Sequence, residues 1–206
     1  MSRLLAIQSS PRGDYSISRT LTNKFIEEWK AEHTDGTVVM RDLVNSKLPF
    51  VDLPWIAGAY TPAEQHSPEI KEAISISNGL IAELMTADHI VIGTSMYNFS
   101  IPAVLKAYID HIVRVGVTFS PSYEGLVKGK KATVILASGG VYTPGAHAES
   151  YNTATPYLKQ ILGFIGITDV TFVLAGGTSG IDKGETKLPE FVQQFEPAVQ
   201  SAARQG

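Results

Sequence analysis

The chain has 206 residues, 44% hydrophobic and 18% charged, with no cysteine and a net charge of −3. That size suits one mid-sized domain burying roughly 70% of its unfolded surface, and the composition excludes intrinsic disorder. Without thiols there is no disulfide scaffold, thiolate zinc site, iron–sulfur cluster or cysteine nucleophile, and 17 basic against 20 acidic residues argue against a nucleic-acid partner.

In chain order, Leu4-Leu-Ala-Ile7 is a short apolar run entering the loop Gln8-Ser-Ser-Pro-Arg-Gly13, a buried strand followed by a turn. Leu21, Phe25 and Trp29, spaced by four, predict a helix over 18–32. A second strand is expected at 37–40, then a loop-rich stretch over 43–66 in which Pro49, Pro54 and Pro62 forbid a long regular element. Ser67-Pro-Glu69 combines a capping hydroxyl, a first-turn proline and an acid, so a helix should run from there to about residue 85. Strands follow at 89–93, 132–136 and 170–174, with helices from about 100 to 113, from 155 to 163 and over 187–204. The longest uncharged stretch, 90–105, is broken by Ser95, Asn98, Ser100 and Pro102 and falls short of a membrane span. The apolar run near the start is also too short for a signal-peptide core, so a soluble, cytoplasmic protein without a membrane partner is expected.

Five short, continuous apolar strands alternating with helices predict an α/β fold: a doubly wound five-stranded parallel sheet with helices on both faces. No repeat or linker divides the sequence, so residues 1–206 are read as a single domain. The flavodoxin-like strand order 2-1-3-4-5 places a ligand crevice at the carboxyl ends of the first and third strands.

Three crevice loops carry chemistry. The first, 9–18, brings four serines, Arg12 and Gly13 to a helix N-terminus, where hydroxyls, free N–H groups and the helix dipole can cradle a phosphate. Alternatively, Ser16 or Ser18 merely caps the helix, and Asp14 would repel a phosphate unless it points outward. The second, Thr94-Ser-Met-Tyr-Asn-Phe99, offers sulfur, two aromatics and an amide that suit a flat heteroaromatic ring or simply a packed turn. The third, Ala137-Ser-Gly-Gly-Val-Tyr142, has paired glycines that permit close approach of a ligand or a sharp turn.

Other motifs carry less. There is no Gly-x-Gly-x-x-Gly, Gly125-Leu-Val-Lys-Gly-Lys130 is one residue short of a P-loop, and Gly93-Thr-Ser-Met-Tyr97 lacks the second glycine of a nucleophile elbow. Histidines 33, 66, 89, 111 and 147 have no metal-ligand spacing, and Glu27-Glu28 reads as a solvated helix face. With no acid–base constellation, the chemistry is expected to come from a cofactor.

Gln8-Ser-Ser10, Tyr15-Ser-Ile-Ser18, Met96-Tyr-Asn-Phe99, Gly116-Val-Thr-Phe119, Glu124-Gly-Leu-Val-x-Gly-Lys-Lys131 and Leu162-Gly-Phe-Ile-Gly-Ile-Thr-Asp-Val170 resemble the FMN-dependent NADH azoreductase/quinone reductase family over essentially the whole chain. The resemblance implies a flavodoxin-like homodimer with one FMN per subunit. It places Ser10, Ser16, Ile17 and Ser18 on the FMN phosphate, Met96, Tyr97, Asn98 and Phe99 along the isoalloxazine, and Ser138, Gly139 and Gly140 at its edge. Phe164 would help form the substrate pocket, facing the other subunit's flavin. The implied reaction is ping-pong two-electron (hydride) transfer from NADH or NADPH to quinones or azo compounds, with no catalytic acid or base among the side chains. The alternative is a flavodoxin-like electron carrier that does not oxidise NAD(P)H directly. Two departures touch the substrate side: Ala137-Ser-Gly-Gly140 stands where the family has Ser-Arg-Gly-Gly, and 120–123 is shorter than the family's segment.

Overall fold

Alternation within the apolar runs divides their side chains between two cores. In β1 (Arg3–Gln8), Leu4 and Ala6 point to one face of the sheet while Leu5 and Ile7 point to the other. The structure, a computed structural model, describes residues 1–205, so Gly206, the last residue of the expected domain, lies outside the described residues. The other strands are β2 (Thr37–Asp42), β3 (His89–Ser95), β4 (Lys131–Ser138) and β5 (Asp169–Gly176). All pairings are parallel, in the order β2-β1-β3-β4-β5 expected from the sequence.

One face is covered by α1 (Ile17–Glu32), whose Leu21, Phe25 and Trp29 are fully buried, together with α7 (Leu188–Gln193) and α8 (Glu196–Arg204). The opposite face is covered by α3 (Pro68–Thr86), α4 (Ala103–Ile112) and α5 (Ala154–Ile165), through residues such as Leu84, Leu105, Tyr108 and Leu158. Between β2 and α3 lies α2 (Leu53–Tyr60), and after β5 comes the short α6 (Ser179–Asp182). No helix among the described residues is long and apolar enough to cross a membrane.

Four expectations are corrected. The loop-rich stretch holds α2, because Pro54 falls in a first turn, where its missing N–H costs nothing, and Asp52 caps it by accepting from Trp55 N at 2.9 Å. The fourth helix starts at Ala103 instead of about residue 100, since Ser100 is paired with Tyr97. The final helix breaks at Gln194–Phe195, and Pro197 restarts it as α8. Glu28 is likewise not simply solvated: it accepts from Gln200 Nε2 at 2.9 Å and pairs with Arg204 across the α1–α8 seam.

Gly93 sets the position of α1 against the sheet. A Cβ there would collide with Thr22 Oγ1 and crowd the Ser18 carbonyl at 3.3 Å. Only a glycine at the end of β3 lets the first turn of α1 lie so close to it.

Candidate functional site

The carboxyl ends of β1, β3, β4 and β5 open onto a cleft of about 180 Å³, lined by Arg12, Ser16, Ile17, Ser95, Met96, Tyr97, Ala137, Ser138, Gly139, Thr178 and Asp182. Six of the twelve sequence-nominated residues line it: Ser16, Ile17, Met96, Tyr97, Ser138 and Gly139. The other six lie outside this lining.

At one end, Ser16 is the N-cap of α1, accepting from Arg19 N at 3.2 Å, so the capping reading holds for it. Its hydroxyl also lies 3.2 Å from Ser18 Oγ, which in turn is 3.5 Å from the Ser95 hydroxyl. Ser10 and Ser18 are fully buried behind the lining, and Ser10 Oγ accepts from Arg12 N at 3.4 Å. Ser9 is structural: its hydroxyl donates to Thr94 Oγ1 at 2.7 Å, tying β1 to β3. The N–H groups that open α1 have no partner one turn back, so this end offers amides, hydroxyls and the positive end of a 16-residue helix.

Asp14 does not intrude. It lies in a different groove, on the outer side of the 3₁₀ turn Gly13–Tyr15, with Gln8, Arg19, Asn23 and Glu27. Arg19 is turned the same way: its guanidinium grips Asp42 at 2.9 and 3.0 Å and also donates to the Ser10 carbonyl and Gln8 Oε1. Asp42 is held below the usual carboxylate range, chiefly by that hydrogen bond.

The second loop forms a hairpin. Tyr97 and Ser100 exchange two backbone hydrogen bonds of 2.9 and 3.0 Å around Asn98 and Phe99, both at positive φ (48° and 68°), the signature of a type I′ turn. Asn tolerates that conformation, whereas Phe99 is strained by about 1 kcal/mol. Stacking of Phe99 on Tyr151 at 5.2 Å and bonds from Thr153 N and Oγ1 to its carbonyl hold it there. Asn98 and Phe99 therefore sit on the hairpin tip, while Met96 and Tyr97 face the cleft.

The third loop is tied back to the segment after β5. Carbonyls of Ser138, Gly139 and Gly140 accept from Thr178, Ser179 and Gly177 N–H groups at 3.0–3.2 Å. Around the position of a Cβ at Gly139 there is no heavy atom within 4 Å, whereas Gly140 faces the Tyr142 ring. A flat ring could therefore rest on bare backbone at Gly139. Hydroxyls and amides of the α1 N-terminus, sharing one cleft with open backbone, a thioether and a phenol, fit a phosphate-bearing flavin.

One residue at the cleft, Asp182, acquires significance only in three dimensions, as the partner of Arg12. Arg12 Nη2 donates to Asp182 Oδ1 at 2.8 Å, joining the first loop to α6. The Asp182 hydrogen bond raises the Arg12 pKa above its ordinary value, burial opposes it, and Tyr97 adds to the rise. No local pattern could have signalled a pair 170 residues apart. Phe164 lies away from this cleft, tilted against Phe119 at 4.6 Å with Tyr123 at 6.2 Å.

A family profile described as flavodoxin-like fold matches residues 2–198. An FMN-dependent NADH:quinone oxidoreductase from Burkholderia lata is 48% identical over 203 residues, covering 98% of this chain and 97% of that protein. One from Jannaschia sp. is 47% identical over 204 residues, covering 99% and 100%. Among solved structures, the FMN-dependent NADH-azoreductase of Bacillus anthracis in complex with FMN superposes with a TM-score of 0.87 at 26% identity, over 99% of each chain.

Proposed function

Because this chain belongs to the flavodoxin-like family of FMN-dependent NADH:quinone oxidoreductases and azoreductases, we propose that it is an FMN-dependent NAD(P)H oxidoreductase that reduces quinones and azo compounds. The observation that carries this reading is that one cleft is lined both by Ser16 and Ile17 at the α1 N-terminus and by Met96, Tyr97 and the open backbone at Gly139. Held there, FMN would supply two-electron (hydride) chemistry between NADH or NADPH and a quinone or azo acceptor, in a ping-pong reaction.

The chain's own residues bind and orient. Ser16 and Ile17 direct hydroxyl and N–H donors toward the phosphate, with Ser10 and Ser18 behind them. Met96 and Tyr97 form one wall of the ring site, with Asn98 and Phe99 at its rim. Ser138, Gly139 and Gly140 meet the ring edge, where backbone donors stabilise negative charge and the apolar wall excludes water. No side chain is assigned a proton-transfer step.

A homodimer is part of the reading. Phe50, Leu53, Ile56 and Tyr60 on and before α2 are exposed apolar side chains, as is Tyr123 beside Phe164. Such a surface suits burial against a second copy, with Phe164 of one copy facing the flavin of the other. The chain is read as a single cytoplasmic domain.

The test is an anaerobic visible spectrum of the purified protein with FMN, before and after adding NADH or NADPH. Flavin bands that bleach in one step support the oxidoreductase. Bound flavin that stays yellow with both donors identifies an electron carrier instead, and failure to take up FMN refutes the reading.

A further inference from the structure

Arg12 enters the cleft from the first loop, yet its guanidinium is fixed from the far end of the chain by Asp182. Among the described residues that line the cleft, Arg12 is the only cation and Asp182 the only carboxylate. The other arginine of this region, Arg19, is bound to Asp42, Gln8 and the Ser10 carbonyl, facing the outer groove. Arg12 uses only one of its five side-chain N–H donors on Asp182, and the guanidinium fork matches phosphate oxygens in spacing and charge. Asp182 has the opposite character. Paired, it holds the guanidinium in the cleft that Ser16 and Ile17 also line; unpaired, it would repel a phosphate there.

Resting on the flavin reading above, we propose that Arg12 makes this cleft select a phosphorylated flavin over the unphosphorylated one, and that Asp182 is the positioning residue that holds its guanidinium in place. Asp182 is absent from the site residues legible in the sequence, where Arg12 stood only as one polar residue of the first loop. It gives Asp182 two opposite effects: it favours phosphate binding through Arg12 and opposes it without Arg12.

The experiment strips the flavin from the protein and titrates FMN and riboflavin separately, following quenching of flavin fluorescence at low and high salt. Arg12→Ala should raise the FMN Kd about tenfold at low salt, the scale of a lost charge-assisted hydrogen bond, while changing the riboflavin Kd less than about twofold. Its FMN affinity should no longer fall with added salt as the wild type's does, but rise as salt screens the unpaired Asp182. Arg12→Lys, which keeps the charge without the fork, should fall between. Asp182→Ala should weaken FMN by about threefold in the wild-type background, yet strengthen it in the Arg12→Ala background, a reversal that a purely structural role would not produce. Both side chains are largely exposed, so all variants should fold, with circular dichroism as the check. Equal losses for FMN and riboflavin in Arg12→Ala, or no loss at all, overturn the selectivity role. Tighter FMN binding by Asp182→Ala overturns the positioning role. A wild-type protein that takes up neither flavin overturns the flavin reading itself, before any variant is compared.

Discussion

Burial of His89 at the start of β3 is expected to make the fold lose stability in mild acid. The residue is 3% exposed, meets Phe25 edge to face at 5.2 Å and bonds Thr133 Oγ1 through Nε2 at 3.0 Å, leaving Nδ1 without a partner. Burial, with Lys131 adding to it and Asp169 opposing, lowers its pKa from 6.5 to about 4. The imidazole is therefore neutral in the folded protein, while the unfolded chain takes up a proton as soon as pH falls below 6.5. The sign follows: stability is fully present above pH 6.5 and is lost as pH falls toward about 4. At 1.36 kcal/mol per pH unit the whole window is worth about 3 kcal/mol, of which about 2 kcal/mol is lost between pH 7 and pH 5. For a domain of this size that corresponds to a fall in Tm of roughly 4–8 °C. The assay is urea denaturation followed by circular dichroism at pH 7 and pH 5, comparing wild type with His89→Gln. The variant is expected to be less stable at pH 7 through lost packing, but to lose about 2 kcal/mol less between the two pH values. Equal losses in the two proteins would refute the argument.

Replacing Gly93 with alanine should push α1 off the end of β3, lowering stability by about 1–3 kcal/mol in urea titration and weakening FMN binding in the same protein. Asn98→Gly should be nearly neutral, whereas Asn98→Val should cost about 1–2 kcal/mol, because a β-branched residue resists positive φ; thermal denaturation distinguishes them. Phe164→Ala should impair quinone turnover in steady-state assays while FMN stays bound, and loss of flavin with normal turnover after reconstitution would contradict its placement in the substrate pocket. Leu53→Glu, on the exposed face of α2, should convert a dimer to a monomer in sedimentation velocity; an unchanged sedimentation coefficient would remove α2 from the interface.

Local pattern determined the sheet of this protein. Runs such as Leu4–Ile7 and Ile90–Ile92 are apolar at every position because both faces of the sheet are covered, and that property is written in consecutive residues. The α3 start at Ser67-Pro68 was legible for the same reason, since a cap and its helix are neighbours in sequence. So were the loops around the cleft, because a parallel topology dictates which strand ends meet. Proline misled where it was read only as a breaker: Pro54 and Pro197 stand in first turns, which they favour. Tertiary structure decided which loop residues face inward. A three-residue turn sends Asp14 outward, a type I′ hairpin lifts Asn98 and Phe99 to a tip, and Arg19 turns to Asp42 on the neighbouring strand. Above all it joined Arg12 to Asp182, since an ion pair depends on distance in space, and a separation of 170 positions leaves no periodic trace of it.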